Sequence, residues 1–530
     1  MVISRKCLLT AGVCLYVLVS RHAYAETGVR VVFDPRPRGA DPEPQMPDMT
    51  KWEVYGHARL RVVGMQDFSL DSLGTTAGRS LWGESRLIAG GRYDFGPRIS
   101  AVLEIDALNG QFAGDYTDVG TVRGEDSFRF ARHKAFGGAI VLPRKAYVQF
   151  DTPAGRLILG QQSFNWGLGL LANDGAGEAQ FGDAYQGSLV ERIGLFSRPW
   201  AYRYDVPAGI RNMALFAAVD VPFRDDNASL IDGDVAVAWV AGMRTKTDRA
   251  ELGFFVSQRK QWDRDDPGHP QSPGVHVGIV DMYGRFFLTD PEAVESLQFE
   301  TEMAFIGGNT TRPYQEQTFK NGATVTSFGG VWRLRYDNDQ AHTTTKLEVG
   351  YASGDQDAQD ARFHQFSFNS DYNVGLILFD QYLPMLTARS VDRLADPGLT
   401  GIPPAGARHL INQGAVSNAT YFHPTIRWRP IPPLDLRAGW LVARADTDVV
   451  DPYNTAKNGG YNMSYGNRTP NSRMLGQEVD VSVRYQLELG KRVQLFVGAE
   501  GGVFLPENAF DGVADKNPVW MARGLTDVRF

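Results

Sequence analysis

Apolar and polar residues alternate with a period of two from Trp52 to the end of this chain. Val54, Gly56, Ala58, Leu60 and Val62 share one parity, while Glu53, Tyr55, His57, Arg59 and Arg61 share the other. The pattern returns at 297–305, 327–336, 478–489 and 493–503. It ends with Trp520, Ala522, Gly524, Thr526, Val528 and Phe530 on one face. Such a period is that of a strand with unlike faces. It predicts about eighteen strands, near 52–64, 80–94, 98–109, 142–151, 155–163, 190–198, 210–220, 234–244, 249–258, 274–289, 296–307, 325–337, 342–353, 415–429, 434–446, 474–489, 492–504 and 518–530.

The predicted connections alternate in length. Those at 95–97, 152–154, 245–248, 338–341, 430–433 and 490–491 are short; those at 110–141, 164–189, 259–273, 354–414, 447–473 and 505–517 are long. A soluble sandwich gives no reason for every second loop to be long, whereas a barrel with periplasmic turns and external loops does. The expected fold class is therefore all-β: a transmembrane antiparallel up-and-down β-barrel in the bacterial outer membrane, closing on an aromatic carboxy-terminus. Tyr93, Phe95, Phe150 and Tyr336 stand beside predicted short turns, where their rings suit a headgroup-level girdle.

Residues 1–25 read as a secretory leader, with Arg5 and Lys6 before a short apolar run and Ala23-Tyr24-Ala25 as the cleavage site. Both cysteines, Cys7 and Cys14, fall inside it, so the exported chain is expected to rely on a hydrogen-bonded barrel and not on disulfides. Residues 26–51 are rich in Pro and charge and read as a periplasmic tail or a docking strip for a periplasmic partner. The barrel is assigned to 52–530. The formal charge of −7 gives no basic surface for nucleic acid.

Charges gather on the inward parity. The expected lumen set includes Arg59, Arg61, Arg86, Lys145, Arg333, Arg335, Arg427, Arg429, Arg437 and Arg484, with Glu300, Glu302 and Asp480 among the acids. A charge on the lipid face would cost about 2–4 kcal/mol at midplane. The inward charges serve either to pair across strands and stiffen the wall or to line a permeation path. Their near balance of sign suits a neutral or mixed-charge solute. The longest loop carries Asp355, Asp357 and an apolar stretch ending in Phe379, and the 164–189 loop carries Trp166. These four are the expected loop gate, folded into the barrel mouth.

No H-x-x-x-H, G-x-S-x-G, Walker A or C-x-x-C motif with its chemistry is present, so no enzymatic activity, cofactor or metal is expected. Lys145-Ala146-Tyr147-Val148-Gln149-Phe150 with Gly155 to Gln162 resembles the hairpin near the start of general porins. The stretches 166–173, 350–355 and 368–379 are similar to alginate-export-type and related polysaccharide-export porins. That resemblance implies an eighteen-stranded barrel passing a secreted polysaccharide, with a periplasmic export machine as partner. The mixed-sign lumen departs from the strongly basic path of alginate export. The leading expectation is an export channel gated by its loops. The alternatives are a diffusion porin for small-solute uptake and a structural or adhesion barrel with a plugged lumen. The expected surroundings are membrane lipid and lipopolysaccharide.

Overall fold

A computed structural model describes residues 52–120, 141–264, 273–312 and 322–530, apart from positions 178, 186, 358, 402, 403, 405 and 491. The expected leader (1–25) and Pro-rich segment (26–51) lie outside the described residues.

The strands are β1 Trp52–Met65, β2 Leu81–Gly96, β3 Ile99–Gly114, β4 Leu142–Thr152, β5 Gly155–Ser163, β6 Leu189–Ser197, β7 Ala214–Arg224, β8 Val235–Lys246, β9 Ala250–Trp262 and β10 Gly274–Phe287. They continue as β11 Glu295–Thr310, β12 Ala323–Asn338, β13 Thr343–Ala352, the two-residue β14 Arg362–Phe363, β15 Ala419–Trp428, β16 Leu434–Arg444, β17 Met474–Glu488, β18 Gln494–Pro506 and β19 Val519–Arg529. Every long strand pairs antiparallel with its sequence neighbours, β13 pairs with β15, and β1 pairs with β19. Eighteen staves thus close a barrel, and β14 adds a short parallel pairing to the external end of β12. Closure leaves no open edge, which is the condition for β-structure to cross lipid.

The last residue takes part in that closure. Gly56 N–H donates to the Phe530 carbonyl at 2.8 Å, and Phe530 N–H donates back at 3.0 Å. The Phe530 ring lies over Gly56, where even a methyl group would come within 3 Å of several ring atoms. Glycine at 56 is what lets the terminal ring seal the seam.

Alternation sorts the two faces. Leu60, Val62, Trp239, Val256, Phe305, Val479, Val481 and Trp520 point outward and are exposed, while Arg59, Arg61, Glu300, Glu302, Glu478 and Asp480 point inward and are buried. An apolar belt of this extent around a polar interior is stable in lipid and not in water. The barrel therefore belongs in the outer membrane. Trp52 and Tyr93 pack at 4.7 Å, with Phe95 beside Tyr93, at the end that carries the turns 97–98, 153–154 and 339–342. That end is periplasmic.

Several strand boundaries moved from expectation; β3 runs to Gly114 and β9 to Trp262, where ends near 109 and 258 were expected. The strand expected at 210–220 runs Ala214–Arg224, because Ala208–Arg211 form a helical turn after Pro207. The strand expected from 415 starts at Ala419, because Val416 is drawn inside with the preceding loop.

Val481 is outward, mid-strand and 55% exposed. Val481→Arg is expected to lower folding stability in bilayers by about 2–4 kcal/mol, whereas Val481→Leu leaves it unchanged; equilibrium urea titration in lipid vesicles measures both.

Candidate permeation path

Two external loops do not stay outside. Residues 164–188, between β5 and β6, cross the lumen. Trp166 sits at the near wall, its ring edge-on to Phe255 at 5.3 Å and its Nε1 donating to Asp281 at 2.9 Å. Gly253 makes the room: a Cβ there would fall 2.7 Å from the Trp166 ring. The N–H groups of Leu168 and Leu170 then donate to the Glu302 carboxylate. At the far wall Asp183 meets Arg61 at 2.7 Å, Arg523 at 3.1 Å and Arg59 at 3.3 Å. Burial alone would raise the Asp183 pKa, but the three guanidiniums outweigh it and hold the carboxyl well below its usual range. This clamp stays ionised across the physiological range. Backbone carbonyls in between are also used: Asp174 accepts from Arg144 at 2.6 Å, Ala184 from Arg86 at 2.9 Å and Gln180 from Arg437 at 3.1 Å.

Part of the loop between β13 and β15 fills the space above, with Phe366, Phe368 and most of 376–395 buried. Leu376, Ile377 and Leu378 donate three successive N–H groups to Glu478, at 2.5, 2.7 and 2.7 Å. A π-turn, Leu378–Tyr382, leads into the helix Leu383–Ala395, whose Met385, Leu386, Val391 and Leu394 are buried. Met385, Leu386 and Val391 share one apolar cluster with Val63, Met65 and Trp82 on one wall, and Val331, Tyr421 and Phe504 on others, while Leu394 packs with Ala407 and Tyr453. The helix is tied outward by Arg389 to Asp71 at 2.9 Å. The two loops hold each other: Asn369 N–H donates to Leu170 O at 2.7 Å, and Asp371 accepts from Tyr185 N–H at 2.6 Å and Gly187 N–H at 2.5 Å.

This packing divides the expected lumen residues. Arg59, Arg61, Arg86, Lys145, Glu302, Arg437 and Asp480 are buried. All but Lys145 and Asp480 grip the crossing loop; Lys145 pairs with Glu104 at 2.7 Å, and Asp480 lies beside Glu478 under the second loop. None of them fronts open lumen. Arg484 pairs with Glu500. Arg429 is half exposed at the periplasmic turn. Arg335 and Arg427 remain partly exposed on the wall from β8 to β15, beside Arg244 and Arg285, which sequence reasoning passed over, while Arg333 holds Glu300, Glu348 and the Tyr372 hydroxyl of the second loop.

On that wall the signs are unequally exposed. Arg244 and Arg285 have side chains 34% and 28% exposed, while Glu251 and Glu300, which they contact, are each 4% exposed; Arg335 is 39% exposed against 22% for its partner Asp337. The register explains it: Glu251 stands opposite Arg285, Arg285 opposite Glu300, Glu300 opposite Arg333 and Arg333 opposite Glu348. Short carboxylates lie against the wall and the longer guanidiniums cover them. The near balance of charge in the sequence is therefore not matched by equal exposure on this wall.

Of the expected gate residues, Trp166 and Phe379 are buried in the lumen. Asp355 and Asp357 are not there. They cap turns on the outer rim, Asp355 accepting from Asp357 N–H at 3.3 Å and Asp357 from Gln359 N–H at 2.9 Å. Short acidic side chains favour such local turns over a constriction.

No family model matches the chain, and no curated protein matches it. Among solved structures it is similar to OccAB1 of Acinetobacter baumannii (10% identity, TM-score 0.49, covering 92% of this chain and 98% of that one). It is also similar to the outer membrane protein OprD from Pseudomonas aeruginosa (12%, 0.46, 90% and 94%) and the outer membrane channel DcaP of Acinetobacter baumannii (13%, 0.38, 91% and 97%). Likeness this slight carries nothing about cargo.

Glu478→Ala leaves three buried N–H groups without an acceptor, each worth about 1–3 kcal/mol. The 376–378 segment is expected to detach, raising single-channel conductance severalfold in planar bilayers while the barrel itself stays folded; Glu478→Gln, which keeps an acceptor oxygen, gives a smaller rise.

Proposed function

We propose that the chain is a selective diffusion channel for small anionic solutes. The observation that carries this reading is the wall from β8 to β15, where the guanidiniums of Arg244, Arg285 and Arg335 are more exposed than the carboxylates they contact. A pore lined in this way attracts anions and repels cations. The two inserted loops limit size. Their apolar cluster occupies the barrel between β1–β2 and β12–β18, and a polymer chain would have to displace it.

That packing favours small solutes over the polysaccharide cargo that the sequence resemblance implies. Export would require both loops to leave the lumen, breaking the Glu302, Glu478 and Asp183 contacts together. A wholly plugged barrel with a structural or adhesive role is the remaining reading, and it predicts no current.

The test is the reversal potential across a planar bilayer under a potassium chloride gradient. Anion preference is expected for the natural chain, and replacing Arg285, Arg333 and Arg335 together with Gln is expected to lower the chloride-to-potassium permeability ratio severalfold. Cation preference, or no current at all, contradicts the proposal.

A further inference from the structure

The outer face of β9–β12 carries three register rows of different character. Val256, Val280, Phe305 and Phe328 stand side by side across the four strands. Two residues nearer the external end, the row is Gln258, Gly278, Gly307 and Thr326. Two residues further, Lys260 pairs with His276, His276 with Asn309, Asn309 with Thr324, and Thr324 with Arg362 of β14. All five of these last residues are exposed.

Strands lie about 4.8 Å apart, so the five positions form a band of hydrogen-bond donors about 20 Å long. It begins where the apolar belt gives out, separated from it only by the row of small and polar residues. Among the described residues, the outward positions at this end of β9–β12 include no Asp or Glu. The Lys260 ammonium also stands 4.9 Å from the centre of the Trp262 ring, which holds the cation on the outer surface. At the external ends of β1, β2, β18 and β19 the outward positions are instead apolar, as at Val62, Leu81, Leu505 and Trp520.

We infer that this row binds the phosphates of a lipopolysaccharide headgroup in the outer leaflet. The inference rests on the barrel's place in the outer membrane and not on what passes through it. Arg and Lys supply charge to a phosphate, and Asn, Thr and His supply further donors in register.

The test uses the full mature chain in lipid nanodiscs, with bisphosphorylated lipid A and its dephosphorylated form as probes. The natural chain is expected to bind the phosphorylated form at least fivefold more tightly. The variant carrying Lys260→Gln, His276→Gln and Arg362→Gln is expected to lose that difference. Arg203→Gln, on the periplasmic turn, serves as the control and is expected to keep it. A triple variant that discriminates as the natural chain does would overturn the inference. Conductance reads the channel separately, so a failure here and a failure of the proposed function are distinguishable.

Discussion

Two loops lie inside this barrel because buried backbone N–H groups must find acceptors, and the wall supplies them as carboxylates. An amide removed from water without a partner costs a free energy comparable to a lost hydrogen bond, so a loop enters a lumen only where the wall answers its donors. Glu302 answers Leu168 and Leu170, and Glu478 answers Leu376, Ile377 and Leu378. The same contacts solve the opposite problem, since each glutamate is itself buried and needs donors to stay in place. Above these pins lie the helix 383–395 and its apolar cluster, which Arg389 also ties to Asp71.

Arginine length does the complementary work. Pairing acids and bases across neighbouring strands would leave a neutral wall if both partners were equally exposed. They are not, because a guanidinium reaches over the carboxylate it contacts. The result is a wall of nearly equal numbers of acids and bases on which the bases are the more exposed, and the proposed anion preference rests on that difference.

Much of this was legible from the alternation. Each of the eighteen predicted strands has its counterpart, and parity alone placed Arg59, Glu302 and Asp480 inside. The apolar run to Phe379 announced a buried loop. The helix at 383–395 was missed although Leu383, Leu386, Leu394 and their neighbours carry a helical period with Pro384 in the first turn; it lies inside the long 354–414 segment that was read as one loop. The division between lumen charges that grip a loop and those that face solvent was not legible. It depends on residues more than a hundred positions away, such as Asp183 against Arg61. Asp355 and Asp357 misled because an acidic loop reads alike whether it caps a turn or guards a pore.

The most direct test of a narrow, positively lined lumen is the swelling of liposomes holding the purified barrel, in a graded series of anionic sugar acids from monomer to long oligomer. Rapid entry of the monomer, with a steep fall by the trimer, is the predicted result. Equal rates for monomer and long oligomer would contradict it.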